Sequence, residues 1–504
     1  MTVPVAVASG HPSATQAALA MLRRGGSAVD AAIAADAVMG VVEPIATGVG
    51  GDLMAVVAGP ERLAAYNGSG RAGASATSVT FGDGDHGYVK NMGGQAVTVP
   101  GTVAGWWDLH QRFGVLSWAE VLEPATAAAL DGAEVGPVTA AIWAAMEPRL
   151  DRAGKALYLP GGSAPAAGAP WRNQELADTL SALAAHRPDH FYCGPLAHDL
   201  AAAVQGAGGP ITPADLSAHR GEWVEPLRRT VAGLELATVP PPCQGVVVLL
   251  AAAQFDERAP FGAAESAAGV VAQVESLDRA FGVAVDVVAD GAGPLDLDEL
   301  LCDARQRPTR GQLPYAPGTV FTAVARGDEF VSLISSVCDR FGAGVTVPGR
   351  GFVLQSRGRG FSLDAAHRNG VAGGRRPYHT IMPTVGLRDG RPFLALGVVG
   401  GVMQPQGQLQ VLAHLARGLR AQAAADAPRF RLMHEGQVAV EPNLPAGTDD
   451  ALRAAGYEPR PPAGVDFGGA QVVLADEAGE LSAGSDRRKD GAAVSESLPS
   501  VPRP

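Results

Sequence analysis

Cysteine is scarce in this chain: there are four in 504 residues, Cys193, Cys243, Cys302 and Cys338, all far apart. They form no CxxC pair and no Cys/His set at ligand spacing, which argues against a structural zinc site and against a disulfide framework. Charge is also thin, at 18% of residues, and no basic block interrupts it. With a net charge of −12 and a pI near 5.4, nucleic acid and anionic membrane surfaces are poor partners. Every Ala-rich stretch is broken by Asp, Glu, Arg or Gly before it reaches the length of a membrane span. The opening residues, MTVPVAVASGHPSATQ, lack a basic segment followed by an apolar one, so no secretory signal is expected and the chain reads as soluble and cytoplasmic. Nothing in it implies a metal or an organic cofactor.

What is present is ample apolar material, 47% of residues, with 65 glycines and 38 prolines scattered without a period. That excludes wholesale disorder and supplies a large core for two or more domains or one large unit. Apolar spacing predicts a helix from Ser13 to Arg24, closed by Gly25-Gly26, and a second capped by Ser27 with Asp30 in its first turn. Thr47-Gly48-Val49-Gly50-Gly51-Asp52 is a glycine-rich loop into a strand, without the Lys that a phosphate-binding loop requires. From about 115 to 235 the pattern is mainly helical, and helices follow from Val246 and around Val271 to Val288. The stretch from Asp290 to Gly318 reads as a loop-rich linker or processed surface segment. Thr346 to Gln355 reads as one bent strand, and the chain after about Leu481 as frayed.

The chemistry is expected between Pro317 and Val337. Thr319 to Val324 and Phe330 to Ile334 are rich in β-branched and aromatic residues and flank Arg326-Gly327-Asp328-Glu329, which predicts a hairpin. Pro308, Pro314 and Pro317 punctuate the loop before it. A Gly318-Thr319 junction therefore stands where a loop enters a sheet, the setting a chain needs to cut its own backbone and expose a new N-terminal nucleophile. Read alone, the same residues also suit an ordinary hairpin. Further on, the strand Phe393 to Val399 runs into Gly400-Gly401, with helical signal resuming after Pro405. Two glycines ahead of a helix leave backbone N–H groups free at the positive end of its dipole, an arrangement able to hold an oxyanion.

The order of several segments resembles the γ-glutamyltranspeptidase family. These are Gly10-His11-Pro12 through Gln16, Gly25-Gly26-Ser27 through Ala32, Val42-Glu43-Pro44 with Thr47 through Gly51, Val99-Pro100-Gly101, Pro240-Pro241-Pro242, Arg376-Pro377 and Gly400-Gly401. The resemblance implies an α+β fold, a four-layer αββα sandwich of the N-terminal-nucleophile hydrolase type. It implies a precursor cut between Gly318 and Thr319, giving a large region, 1–318, and a small one, 319–504, that stay associated as one intertwined unit, with a homodimer possible. Thr319 then matches the family's nucleophile, Ser336 the second hydroxyl beside it, and Gly400 and Gly401 the oxyanion donors. A buried core serine is the competing reading of Ser336.

The residues matching the family's glutamate site depart from it. Ser69 falls where the family keeps an Arg, and Arg71 lies two residues on. Gly360, in Arg359-Gly360-Phe361-Ser362, falls where an Asp meets the substrate amine, and His379-Thr380 replace paired serines. With Arg357 and Arg359 nearby, the local field is reversed, and an unpaired substrate ammonium would be costly. The expected substrate is therefore a small-molecule amide whose acyl group ends in a carboxylate without an α-amine, glutaryl-like rather than γ-glutamyl, with water or an amine as acceptor. That pattern resembles the branch containing cephalosporin acylases. A catalytically inactive scaffold that keeps the fold is the alternative.

Overall fold

The computed structural model describes residues 2–81, 84, 87–259, 263–307, 319–464 and 466–499. Two antiparallel sheets lie face to face. The seven-stranded one runs Ala492–Pro499, Thr2–Ser9, Val320–Arg326, Glu329–Ser336, Asp52–Gly59, Arg62–Asn67, Glu222–Val224. The six-stranded one runs Leu481–Ser485, Gly469–Ala475, Arg391–Val399, Thr384–Arg388, Leu234–Thr238, Leu227–Val231. Alternation along each strand separates two cores. Val320, Val324, Leu53 and Val57 face outward into the core shared with the helices Pro12–Arg23 and Ala28–Val42, behind which Trp118–Asp131 packs. Phe321, Ala323, Met54 and Val56 face inward onto the second sheet, whose far side is covered by Gly245–Arg258 and Met403–Ala416, with Ala267–Val287 packed on those helices. The result is the expected αββα layering.

Local chemistry accounts for the elements that position the site. Ser27 accepts from Asp30 N and the Asp30 carboxylate returns a bond to Ser27 N, a reciprocal cap that starts a helix buried at every residue. The central hairpin turns through Gly327 and Asp328 alone, with Arg326 paired to Glu329. Gly327 has φ +58°, a conformation that favours glycine at the first position of such a turn. Between the two sheets, Gly397 faces Phe321: a Cβ there would sit 2.0 Å from the ring.

Four segments differ from expectation. Leu297–Gln306 is a helix, because Leu301 and Ala304 fall on one buried face behind an Asp296 cap. Thr346–Val347 and Phe352–Val353 are two short paired strands, not one bent strand. The C-terminal stretch is not frayed: Ala492–Pro499 pairs along its whole length with Thr2–Ser9, and Arg23 bonds Glu496 across it. The Met403–Ala416 helix starts before Pro405, which occupies its first turn, where no backbone donor is needed. Among the described residues no helix is long and apolar enough to cross a membrane.

Candidate active site

Register brings the predicted residues to one end of the first sheet. Ser335 pairs with Val320, so continuing the ladder by one residue sets Ser336 opposite Thr319. Ser336 pairs in turn with Asp52, and Gly70 N donates to Asp52 Oδ1 at 2.9 Å, carrying the row to the segment of Ser69. By strand parity Thr319 and Ser336 share the inward face with Phe321 and Ile334. Thr319 is 3% exposed. Gly318, the expected other side of the scissile bond, lies outside the described residues, as do Pro308, Pro314 and Pro317.

The second sheet closes over this row. The strand Arg391–Val399 ends at Gly400 (φ +116°) and Gly401 (φ +63°), backbone conformations suited to glycine. Their carbonyls accept from Met403 N and Gln404 N, the first bonds of the following helix. Among the described residues neither glycine's own N–H has an acceptor. Gln404, fully buried in the first helical turn, donates from Nε2 to Thr319 Oγ1 at 3.3 Å and accepts at Oε1 from Met382 N at 3.1 Å. Gln244 ties the same region together, donating to Thr380 O at 2.6 Å and to Gly401 O at 3.1 Å while its Oε1 accepts from the Tyr378 hydroxyl.

Arg357 is 1% exposed, and its guanidinium reaches Thr380 Oγ1 at 3.0 Å and Ser336 Oγ at 3.2 Å. Both partners are neutral hydroxyls. Its Nε is buried without a partner, and among the described residues no carboxylate lies within ion-pair distance. A buried cation in this state is costly until an anion joins it. Ser336 Oγ also accepts from Cys338 N at 2.7 Å.

The remaining predicted residues are committed elsewhere. His379 is fully buried, with Nε2 bonded to Asp52 Oδ2 at 3.0 Å and Nδ1 accepting from Ile381 N at 3.3 Å. Because the peptide N–H can only donate, the ring proton sits on Nε2 and His379 is the donor to Asp52. Burial, aided by the Arg357 charge, pushes its pKa down to about 4, so it is neutral at physiological pH. Arg71 is paired with Glu222 (2.7 Å) and Asp290 (3.1 Å), leaving no uncompensated charge for a substrate anion. Ser69 Oγ donates to Asn67 Oδ1, and its carbonyl accepts from Arg376 Nε. Gly360 is packed by its backbone: a Cβ there would meet Tyr378 O at 2.4 Å, so a side chain could not simply be restored.

Gln404, Gln244 and Asp52 were not anticipated. The signal for the first two was adjacency: Gln404 follows the Gly400-Gly401 pair, and Gln244 follows the proline run at 240–242. Nothing in the sequence marked Asp52 apart from its place after the glycine loop.

Two facing sheets between helical layers, with a threonine opening a central strand, define the fold of the N-terminal-nucleophile hydrolases. Within that class the chain belongs to the gamma-glutamyltranspeptidase family, whose model matches residues 14–496. It is 33% identical to the glutathione hydrolase-like YwrD proenzyme of Bacillus subtilis (strain 168), over 97% of this chain and 98% of that protein. It is 36% identical to the oxamate amidohydrolase proenzyme of Klebsiella pneumoniae subsp. pneumoniae, over 84% of each. Its structure is similar to that of a cephalosporin acylase from Bacillus halodurans, with a TM-score of 0.90 and 35% identity over 98% of this chain and 96% of that one. The chain is an enzyme of the N-terminal-nucleophile hydrolase type, a self-processing amide hydrolase of the transpeptidase and acylase kind.

Proposed function

We propose that Thr319 is the nucleophile and that the substrate is an amide whose acyl group ends in a carboxylate. One observation carries this reading. The hydroxyl at the head of a central strand is hydrogen-bonded from the helix that follows two Gly N–H groups, and an arginine stands one strand away; among the described residues those N–H groups have no acceptor and that arginine no counter-ion.

In maturation, Thr319 Oγ attacks the Gly318 carbonyl carbon and the peptide shifts from N to O. Water then hydrolyses the ester, releasing a carboxylate on residue 318 and a free α-amine on Thr319. The ordinary pKa of such an amine, about 7.7–8.0, leaves a usable fraction unprotonated near neutrality, so it can take the proton of its own hydroxyl. In turnover, Oγ bonds to the substrate carbonyl carbon and the N–H groups of Gly400 and Gly401 hold the oxyanion. Collapse breaks the C–N bond, and the proton held by the amine leaves with the departing amine. Water or an acceptor amine then cleaves the acyl-enzyme by the same steps in reverse.

Arg357 and Thr380 hold the far carboxylate, and Ser336 aims the guanidinium. His379 fixes Asp52, whose two oxygens already accept from Gly70, Gln355 and His379. Asp52 is fully buried behind those three donors, which favours glutaryl-like over γ-glutamyl acyl groups. The name of the oxamate-hydrolysing relative fits an acyl group that carries a carboxylate and no α-amine.

Denaturing electrophoresis with N-terminal sequencing tests the first half. The purified protein should give two fragments, the smaller beginning at Thr319, while Thr319→Ala stays whole and inactive. Turnover by the Ala variant would sink the proposal. Glutaryl anilide should be cleaved faster than γ-glutamyl anilide; the reverse order overturns the substrate assignment.

A further inference from the structure

Four glutamines alternate along the helix after the Gly-Gly pair, and all are buried. Gln406 and Gln410 bind the backbone of the strand Phe430–Leu432: Gln406 pairs with Leu432 N and O, and Gln410 with Phe430 N and O. Gln404 and Gln408 grip Met382 in the same way, Gln404 Oε1 accepting from Met382 N and Gln408 Nε2 donating to Met382 O. Three of the four amides spend their bonds within the scaffold. Gln404 alone spends half of its amide on Thr319.

We propose that Gln404 is a further catalytic residue, a fixed hydrogen-bond donor to the nucleophile oxygen. This rests on the assignment of Thr319 as nucleophile. The polarity of the Gln404 amide is dictated from outside the site. A peptide N–H can only donate, so the oxygen of Gln404 must face Met382 and its –NH₂ must face Thr319. Thr319 Oγ therefore presents a lone pair to Gln404, and its own proton is directed elsewhere, where the freed α-amine can collect it. As that proton leaves, negative charge builds on Oγ and the contact strengthens. When the acyl-enzyme is cleaved, Oγ is the leaving atom, and the same N–H steadies it again. The donor thus serves precursor cleavage, acylation and deacylation, while touching no part of the substrate that sets binding.

Gln404→Glu is the discriminating variant. One carboxylate oxygen still accepts from Met382 N, so the scaffold bond survives, but the other offers Thr319 an acceptor in place of a donor. Gln404→Met removes the donor without adding charge, and decides the matter if the Glu variant does not fold. Gln408→Leu breaks the other bond to Met382 and controls for loosening of the helix. Precursor cleavage is followed on gels, and kcat is normalised to the fraction bearing an N-terminal Thr. Both Gln404 variants should lose about 10²-fold in kcat, the size of one lost oxyanion donor, with KM for the acyl donor nearly unchanged. In the Glu variant the acid limb of the pH–rate profile should move up by about one unit, because a neighbouring carboxylate keeps the α-amine protonated. Gln408→Leu should lower the melting temperature and leave kcat and the profile alone. A Gln404 variant with kcat within about threefold of wild type, or a Gln408 variant that reproduces the loss, overturns the inference. If Thr319→Ala remained active, the nucleophile assignment itself would fall; if it is dead while Gln404→Glu is normal, only the donor role falls.

Discussion

Replacing Arg357 by Met should separate activity from stability in opposite directions. The guanidinium is buried against two hydroxyls, with one nitrogen unsatisfied and no counter-ion at ion-pair distance among the described residues. In the free protein that charge is a cost, and well-packed apolar replacements of buried ionic groups are often neutral or stabilising. Against this stand two hydrogen bonds to hydroxyls, each worth about 1 kcal/mol. The denaturant midpoint of Arg357→Met should accordingly hold or rise, by about 1 kcal/mol at most. With a carboxylate-bearing substrate the balance reverses, because the variant leaves that carboxylate desolvated and alone. Breaking such a pair costs about 3 kcal/mol or more, and at about 1.4 kcal/mol per tenfold this lowers kcat/KM by at least 10²-fold. The same anilide with its terminal carboxylate capped as a carboxamide has no charge to lose and should fall far less. A second reporter lies next door. His379 is held down to about 4 first by burial and then by Arg357, so its imidazole resonances should titrate at higher pH in the variant. Equal losses on the charged and capped substrates, or a variant destabilised by more than about 2 kcal/mol, would refute an uncompensated anion-seeking arginine.

Two further predictions concern the scaffold. Asp36 is buried beneath the sheet, accepting from Ser335 Oγ and Trp106 Nε1, and burial pushes its pKa up to about 6 despite both donors. The stability associated with its protonated form is complete below about pH 4 and is lost as pH rises through 6, about 3 kcal/mol by neutrality; Asp36→Asn should remove that slope from urea midpoints measured at pH 5 and pH 8, and an unchanged slope would contradict it. Gly397→Ala places a methyl 2.0 Å from the Phe321 ring between the sheets and should destabilise by about 1–3 kcal/mol or prevent folding, whereas a neutral result would mean that the sheets part easily.

The hairpin that carries Thr319 was legible because its residues alternate between two buried faces and its turn needs only Gly327 and Asp328. The Gly400-Gly401 pair was legible because positive-φ positions before a helix select glycine. The partners of these residues were not. Four glutamines at every second position of a helix carried no readable role, since one chain segment cannot announce that its side chains bond the backbone of Met382 and of Phe430 and Leu432. Arg71 and Arg357 look alike in sequence, yet Glu222 and Asp290 neutralise the first while among the described residues no carboxylate meets the second. The C-terminal strand was misread for the same reason: its Ser- and Pro-rich composition suits a tail, and only the distant Thr2–Ser9 strand supplies its ladder.

The charges around Thr319 suit a nucleophile that serves as its own base. A free α-amine works near neutrality only if its pKa stays near or below its ordinary value, about 7.7–8.0. A carboxylate beside it would hold the proton and raise that value; a cation would release the proton and lower it. Among the described residues Thr319 is met by a neutral amide, Gln404; the neutral hydroxyl of Ser336 stands opposite it in the continued ladder, and beyond Ser336 lies the guanidinium of Arg357. The nearest carboxylate along the strand row, Asp52, is occupied by His379, Gln355 and the Gly70 amide. Under the proposed function one cation acts twice: it is the group expected to hold the anionic end of the substrate, and while the site is empty it favours the unprotonated amine. Binding a carboxylate neutralises Arg357 and removes that help, so the acid limb of kcat should lie above that of kcat/KM. In Arg357→Met the limb of kcat/KM should move up, because the free enzyme has lost the cation that lowered the amine pKa. If the limbs already coincide in wild type, Arg357 does not sense the amine and serves binding alone.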